Sequence, residues 1–161
     1  MHEYNKVKDF VLDCHKKHKK VVFTHGVFDL FHKGHLETLN ESKEFGDIVI
    51  VGVDSDELVK ELKGSSRPII VDIDRLEVVK NIKVVDFAFV LQPSNKEIEN
   101  LHSYFKDLYK YLHVDIVTSG NPSEYCIDQQ SICDELRIEY RLAGEEVVET
   151  TTDIIERIKA N

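Results

Sequence analysis

A chain of 161 residues, 42% of them apolar, can bury a core without disulfides or a structural metal, so a single globular domain over 1–161 is expected. Its formal charge of −9 argues against the clustered Lys and Arg with which proteins neutralise nucleic-acid phosphates, so no nucleic-acid partner is expected. Cys14, Cys126 and Cys133 are odd in number and make no Cys-x-x-Cys pair, which suggests neither a disulfide framework nor a zinc site and fits reduced thiols in the cytoplasm.

The first residues, Met1 to Lys6, lack the apolar stretch of a signal peptide, and no later run approaches the ~20 residues of a membrane helix. A soluble protein without a membrane partner is expected. Val7, Phe10, Val11 and Cys14 recur at helical spacing, and Val21-Val22-Phe23 then reads as a short buried strand. The basic run Lys16 to Lys20 between them reads as a solvated helix end, where cations meet the negative end of the dipole. A helix is expected from Gly34 to Phe45, followed by the unbroken apolar strand Ile48 to Val53, which suits a sheet covered on both faces.

Helices are expected near Ser55 to Leu62 and Asp74 to Ile82, with Lys63 to Pro68 as an irregular connection marked by Gly64 and Pro68. Phe87 to Leu91 is a third strand. Pro93-Ser94-Asn95 opens a helix in which Ile98, Leu101, Phe105, Leu108 and Leu112 form one apolar stripe, read as core packing. Val114 to Thr118, a helix from Ser123 to Leu136, a strand from Arg137 to Leu142 and a helix from Thr152 to Lys159 complete the chain. Strands and helices alternate throughout, which predicts an α/β, Rossmann-like, doubly wound and mainly parallel five-stranded sheet with helices on both faces. Ligands of such sheets bind beyond the carboxyl ends of the strands, at the switch point.

The run Thr24-His25-Gly26-Val27-Phe28-Asp29-Leu30-Phe31-His32-Lys33-Gly34-His35 lies between the first strand and the next helix, where a phosphate-binding turn belongs. His32 and His35 are three apart, so both imidazoles emerge on one side of the helix's first turn and can converge on one anion. Gly34 permits close approach to the backbone, and the free N–H groups of the helix start add partial positive charge. Two other readings stand beside this one: metal ligation, for which helical pairs usually stand four apart and need a further ligand, and two histidines simply packed or solvated.

These residues resemble the cytidylyltransferase-like family of nucleotidyltransferases, whose Gly-x-Phe-Asp, two residues, then His-x-Gly-His is met without a gap from Gly26 to His35. The likeness continues in Val53-Asp54-Ser55-Asp56, in Leu62-Lys63-Gly64 with Arg67-Pro68 and Arg75, and in Thr150-Thr151-Thr152-Asp153-Ile154-Ile155, similar to the family's Ser-Thr-Thr/Ser signature at a helix start. The resemblance implies a transferase joining a nucleoside triphosphate to a small phosphorylated substrate with release of pyrophosphate. His32, His35 and Lys63 are then the catalytic residues, with the histidines on the α- and β-phosphates and Lys63, with Mg²⁺ brought by the nucleotide, on the departing pyrophosphate. Thr24, Gly26, Phe28, Asp29, Gly34, His35, Gly120, Asn121, Thr150, Thr151 and Thr152 are expected to bind the nucleotide, and Asp29, Asp56 and Arg75 the substrate; no protein-held metal is expected. Asp29 has a second reading as a carboxylate that orients the histidine loop, and Arg75 as a surface ion pair.

Within the family, Leu62-Lys63-Gly64, Arg67-Pro68 and Arg75 look most like the adenylyltransferase domain that makes ADP-heptose from a heptose 1-phosphate, which favours ATP. Glycerol-3-phosphate cytidylyltransferases carry Arg-Thr-x-Gly before their Ser-Thr motif, where this chain has Glu145-Glu146-Val147-Val148-Glu149, which weakens CTP. The heptose pattern Lys-Gly-Gly-Asp after the fourth strand is replaced by Thr118-Ser119-Gly120-Asn121. The acceptor is expected to be a sugar or polyol phosphate, with a flavin, pantetheine or nicotinamide phosphate as alternatives, and a non-catalytic nucleotide-binding domain as the alternative of another class. A homodimer is expected from the resemblance.

Overall fold

The structure, a computed structural model, describes residues 2–120, 128–144 and 150–160. Asn121, Cys126, the expected helix start at Ser123 and the segment 145–149 lie outside the described residues. Val21–Gly26 (β1), Ile48–Asp54 (β2), Phe87–Leu91 (β3), Ile116–Ser119 (β4) and Glu139–Leu142 (β5) form one sheet in the order β3-β2-β1-β4-β5, and every pairing is parallel. The chain therefore starts at the sheet's centre, builds to one side through β2 and β3, then crosses to the other. The switch point falls between β1 and β4.

Strand alternation feeds two cores, one on each face. Phe23, Ile50 and Phe89 point to a cluster closed by α1 (His2–Lys16), α6 (Leu101–Leu112) and α7 (Gln129–Leu136), through Val7, Val11, Phe105, Tyr109 and Ile132. Val22, Val51 and Val90 point the other way, onto Leu39 of α2 (Lys33–Glu44) and Leu76 and Val79 of α4 (Asp72–Lys80). This two-sided burial is why β2 reads as an unbroken apolar run. Among the described residues the remaining helices are α3 (Asp56–Lys63), α5 (Asn95–Ile98) and α8 (Thr151–Lys159). Among the described residues no helix is long and apolar enough to cross a membrane.

Several boundaries differ from expectation; β4 runs Ile116–Ser119 where Val114 to Thr118 was expected, and four others have a local reason. β1 extends past Phe23, because Thr24, His25 and Gly26 find ladder partners in Val51, Gly52 and Val53. The long helix expected from Asn95 is two helices: the Asn100 side chain accepts from the Ser103 N–H, starting α6 afresh and leaving Ile98 only half-buried. Arg137 is no strand residue; at φ 58° it closes α7, so β5 begins at Glu139. The expected helix near Asp74 starts at Asp72, with Val71 as an extended N-cap. The basic run behaves as a helix end, with Lys19 meeting Asp47 at 3.2 Å and Lys20 meeting Glu139 at 3.0 Å.

Candidate active site

Between β1 and α2 the chain makes a turn that two bulky residues enter with left-handed backbone, Phe28 at φ 54° and Leu30 at φ 45°. Such angles disfavour residues with a Cβ, so the turn needs holding from outside. Asp29 supplies one hold. Its carboxylate is 1% exposed and accepts from the N–H groups of Leu30 (3.1 Å), Ile69 (2.8 Å) and Ile70 (2.9 Å), with the Arg67 guanidinium at 3.3 Å. Arg75 supplies the second, donating to the carbonyls of Val27 and Ile70 and to Asp56 Oδ1 at 2.8 Å.

These contacts bear on two expectations. The side chain of Arg75 is fully enclosed, and its Nε, Nη1 and Nη2 each donate to a protein acceptor, the arrangement of a group that braces the loop. Asp56 is held in the same pairing, and Asp29 takes the loop-orienting role, its four donors filling a carboxylate's usual capacity.

His32 and His35 cap their own helix. His32 is the N-cap of α2, and its Nδ1 accepts from the Gly34 N–H at 3.1 Å, while His35 Nδ1 accepts from the His32 N–H at 3.4 Å. This is the reciprocal arrangement of a capping box, built with imidazoles in place of a hydroxyl and a carboxylate. A ring that accepts at Nδ1 carries its proton on Nε2, so both histidines offer Nε2–H donors away from the helix. Their ring centres stand 4.0 Å apart with planes 32° apart, so the rings converge. Burial, with the nearby His32 adding to it, pushes the His35 pKa down to about 3, leaving a neutral donor.

α8 is brought to this point by Thr151, whose hydroxyl donates to the Asp29 carbonyl at 3.0 Å and lies 3.3 Å from His32 Nε2. The first turns of α2 and α8 thus meet, and each contributes the partial positive charge of a helix N-terminus. α2 is fastened from its far side: Ser42 bonds the Thr118 hydroxyl of β4 at 2.7 Å, and Glu41 accepts the Gly144 N–H at 2.7 Å. Gly144 sits at φ 77°, and a Cβ there would meet Thr38 Oγ1 at 2.5 Å.

A cleft of about 220 Å³ opens over the carboxyl ends of β1, β2 and β4, at the switch point. Of the sequence-predicted residues, Thr24, Gly26, Phe28, His35, Lys63, Gly120 and Thr151 line it. His32 and the buried Gly34 stand behind His35 as the cap, and Asp29, Asp56 and Arg75 form the loop's support. Thr150 and Thr152 are exposed; the Thr150 hydroxyl is spent on the α8 cap, donating to Asp153 Oδ2 at 2.6 Å. Asn121 lies outside the described residues. Among the described residues no three His, Cys, Asp or Glu side chains gather as a metal-holding group.

Sequence reasoning missed the opposite wall: His25, Asp54, Phe105 and Gln129 also line the cleft. His25 stacks on Phe105 with ring centres 4.2 Å apart, and its Nε2 lies 3.0 Å from the Gln129 amide nitrogen. The signal was period two: His25 shares the face of Phe23, so a polar residue at the carboxyl end of a buried strand had to enter the other core or the cleft. Gln129 and Phe105 come from helices far along the chain, and no local pattern marks them.

A family model described as cytidylyltransferase-like matches residues 23–160. The chain is 31% identical over 158 residues to a bifunctional protein HldE from a Nitratiruptor species, covering 98% of the chain and 32% of that protein. It is 38% identical over 141 residues to the bifunctional protein HldE of a Helicobacter pylori strain, covering 88% of the chain and 28% of that protein. The chain thus spans about a third of the length of these relatives. Among solved structures, the lipopolysaccharide core biosynthesis protein from Thermoplasma volcanium is similar, with a TM-score of 0.59 and 27% identity over 77% of this chain and 93% of that one.

Proposed function

Because the chain belongs to the cytidylyltransferase-like family and is a nucleotidyltransferase, we propose that it transfers a nucleoside monophosphate, AMP by preference, from a nucleoside triphosphate to a sugar or polyol phosphate. The observation that carries this reading is the reciprocal histidine cap at the meeting point of two helix N-termini, a ready-made seat for a triphosphate. The preference for ATP and for a sugar phosphate rests on the Leu62-Lys63-Gly64, Arg67-Pro68 pattern and on the HldE relatives.

In this reading an acceptor phosphate oxygen attacks the α-phosphorus, the bond from that phosphorus to the bridging oxygen breaks, and pyrophosphate leaves. A phosphate oxygen ionised at neutral pH needs no general base, so positioning and charge neutralisation carry the rate. His35, neutral and with Nε2–H toward the cleft, donates to oxygens on which charge builds without competing for their protons. His32 yields its 3.3 Å contact with Thr151 to the triphosphate, and Thr151 and the first turn of α8 hold the tail. Lys63, on the cleft wall at the end of α3, neutralises the pyrophosphate. The groups at this seat are imidazoles, an ammonium and hydroxyls, while Asp29 is spent on the loop, so Mg²⁺ fits as an ion carried in by the nucleotide's own phosphates, where it shields their charge. A two-fold homodimer is the expected assembly.

Pyrophosphate release, screened over ATP and CTP against a panel of sugar and polyol phosphates, tests the proposal. Release with ATP and a sugar phosphate is expected. Release only with CTP overturns the nucleotide assignment, and release with no pair overturns the transfer to sugar or polyol phosphates and favours the non-catalytic nucleotide-binding domain.

A further inference from the structure

The wall of the cleft opposite the histidines holds three buried polar side chains with unmet hydrogen-bonding capacity. His25, Asp54 and Gln129 are each more than nine-tenths buried, and among the described residues His25 Nδ1, Asp54 Oδ1 and Gln129 Oε1 have no hydrogen-bond partner. His25 Nδ1 and Asp54 Oδ1 lie 3.4 Å apart, a contact of an ion pair's reach that is not a hydrogen bond. Buried polar atoms are nearly always paired, so three orphans in one ligand-facing wall need an explanation.

Their chemistry narrows the guest. The Gln129 amide N–H donates to His25 Nε2 at 3.0 Å, which puts the ring proton on Nδ1. The wall then offers two acceptors, Asp54 Oδ1 and Gln129 Oε1, and one donor, His25 Nδ1–H, with Asp54 on the Nδ1 side of the ring and Gln129 on the Nε2 side. A phosphate carries acceptors only and is repelled by Asp54, and a purely apolar chain leaves all three orphaned. Vicinal hydroxyls, each a donor and an acceptor, match the set, and Leu58 and Val59 in the same cleft offer apolar contact for the carbon skeleton.

We infer that His25, Asp54 and Gln129 form a subsite that reads the hydroxyl groups of a polyhydroxylated carbon chain whose phosphate lies toward His35 and Lys63. The inference deepens the sugar-phosphate reading above and rests on it. Two sources present this chemistry, the sugar of the acceptor and the ribose of the nucleotide.

Binding measured by calorimetry, without turnover, separates this inference from the transferase reading, since it is scored whether or not pyrophosphate is released. The probes are mannose 1-phosphate and glycerol 3-phosphate against propyl phosphate, and ATP against 2′,3′-dideoxy-ATP. The protein is expected to prefer the hydroxylated member of at least one set by roughly tenfold or more, because a site built to bond hydroxyls rejects analogues that lack them. That preference should collapse to about threefold or less in Gln129→Met and in Asp54→Ala. Collapse in the phosphate set assigns the wall to the acceptor, and collapse in the nucleotide set assigns it to ribose. No preference in either set, or a preference that both variants keep, overturns the subsite. Should a variant fail to fold, the side-chain amide resonances of Gln129 in the unaltered protein decide: they move with the hydroxylated probe and stay with its analogue, and equal movement with both overturns the inference.

Discussion

Thr151 and His32 meet at 3.3 Å across 119 positions of sequence, and through this contact the first turn of α8 closes on the first turn of α2. The same hydroxyl donates to the Asp29 carbonyl, so one side chain ties the last helix both to the strained turn and to the histidine cap. Removing it while keeping its volume, as in Thr151→Val, is expected to lower turnover by roughly tenfold, the worth of one hydrogen bond near a charged ligand. Thr150→Ala removes the cap of α8 instead and should cost about 1 kcal/mol of stability with turnover little changed. Steady-state kinetics and urea unfolding on the pair check this, and the reverse pattern would move the nucleotide contact to Thr150.

His35→Ala should lower kcat by roughly a hundredfold or more, as expected for a donor aimed at transition-state charge. His35→Gln, which returns an N–H at a similar reach, should recover part of that loss. Single-turnover rates at saturating nucleotide make the comparison, and near-normal turnover in the alanine variant would remove His35 from the chemistry.

The depressed His35 pKa has a consequence for stability. In the unfolded chain its imidazole titrates near 6.5, and in the folded protein burial holds it at about 3. Between those values the unfolded state binds the extra proton, so acid favours unfolding. Stability should fall by about 1.4 kcal/mol for each pH unit lost between 6.5 and 3 on account of this one group, with no further loss from it below 3 and none above 6.5. Urea unfolding of the wild type and His35→Gln at pH 7, 6 and 5 isolates the effect, because the variant lacks the titrating ring. Parallel stability curves for the two proteins would contradict it.

Arg75→Ala leaves the Val27 and Ile70 carbonyls and Asp56 without their shared donor, and should destabilise the protein by about 3–5 kcal/mol. Because Val27 belongs to the turn that carries the histidines, kcat should also fall, by up to roughly a hundredfold for a displacement on the order of 1 Å. Arg75→Lys should rescue little, since an ammonium cannot reach three acceptors in a fixed fork. A variant of normal stability whose whole defect lies in KM would instead place the guanidinium on a ligand.

Much of the fold was legible in the residue pattern. The unbroken run Ile48 to Val53 announced a strand buried on both faces, and the alternation of strand and helix announced a parallel sheet, because each of these patterns reports local burial. Gly26 to His35 announced a turn running into a helix start at the sheet's carboxyl edge, which is where the cleft opens. Where local competition was close, as at Asn100, which restarts a helix, and Arg137, which ends one, the apolar spacing misled.

The roles of the charged residues belonged to the tertiary structure. From spacing alone Asp29 and Arg75 were as fit to hold a ligand as to hold a loop; the approach of residues 67–70 to the turn gives Asp29 its donors, and Val27, Ile70 and Asp56 give Arg75 its acceptors. The histidines' proton positions, the junction of α2 with α8, and the wall of His25, Asp54 and Gln129 likewise depend on groups many residues apart. Periodicity along a chain reports which face of an element is buried, while hydrogen-bond partners are set by which elements pack together, and that is settled when the whole sheet closes.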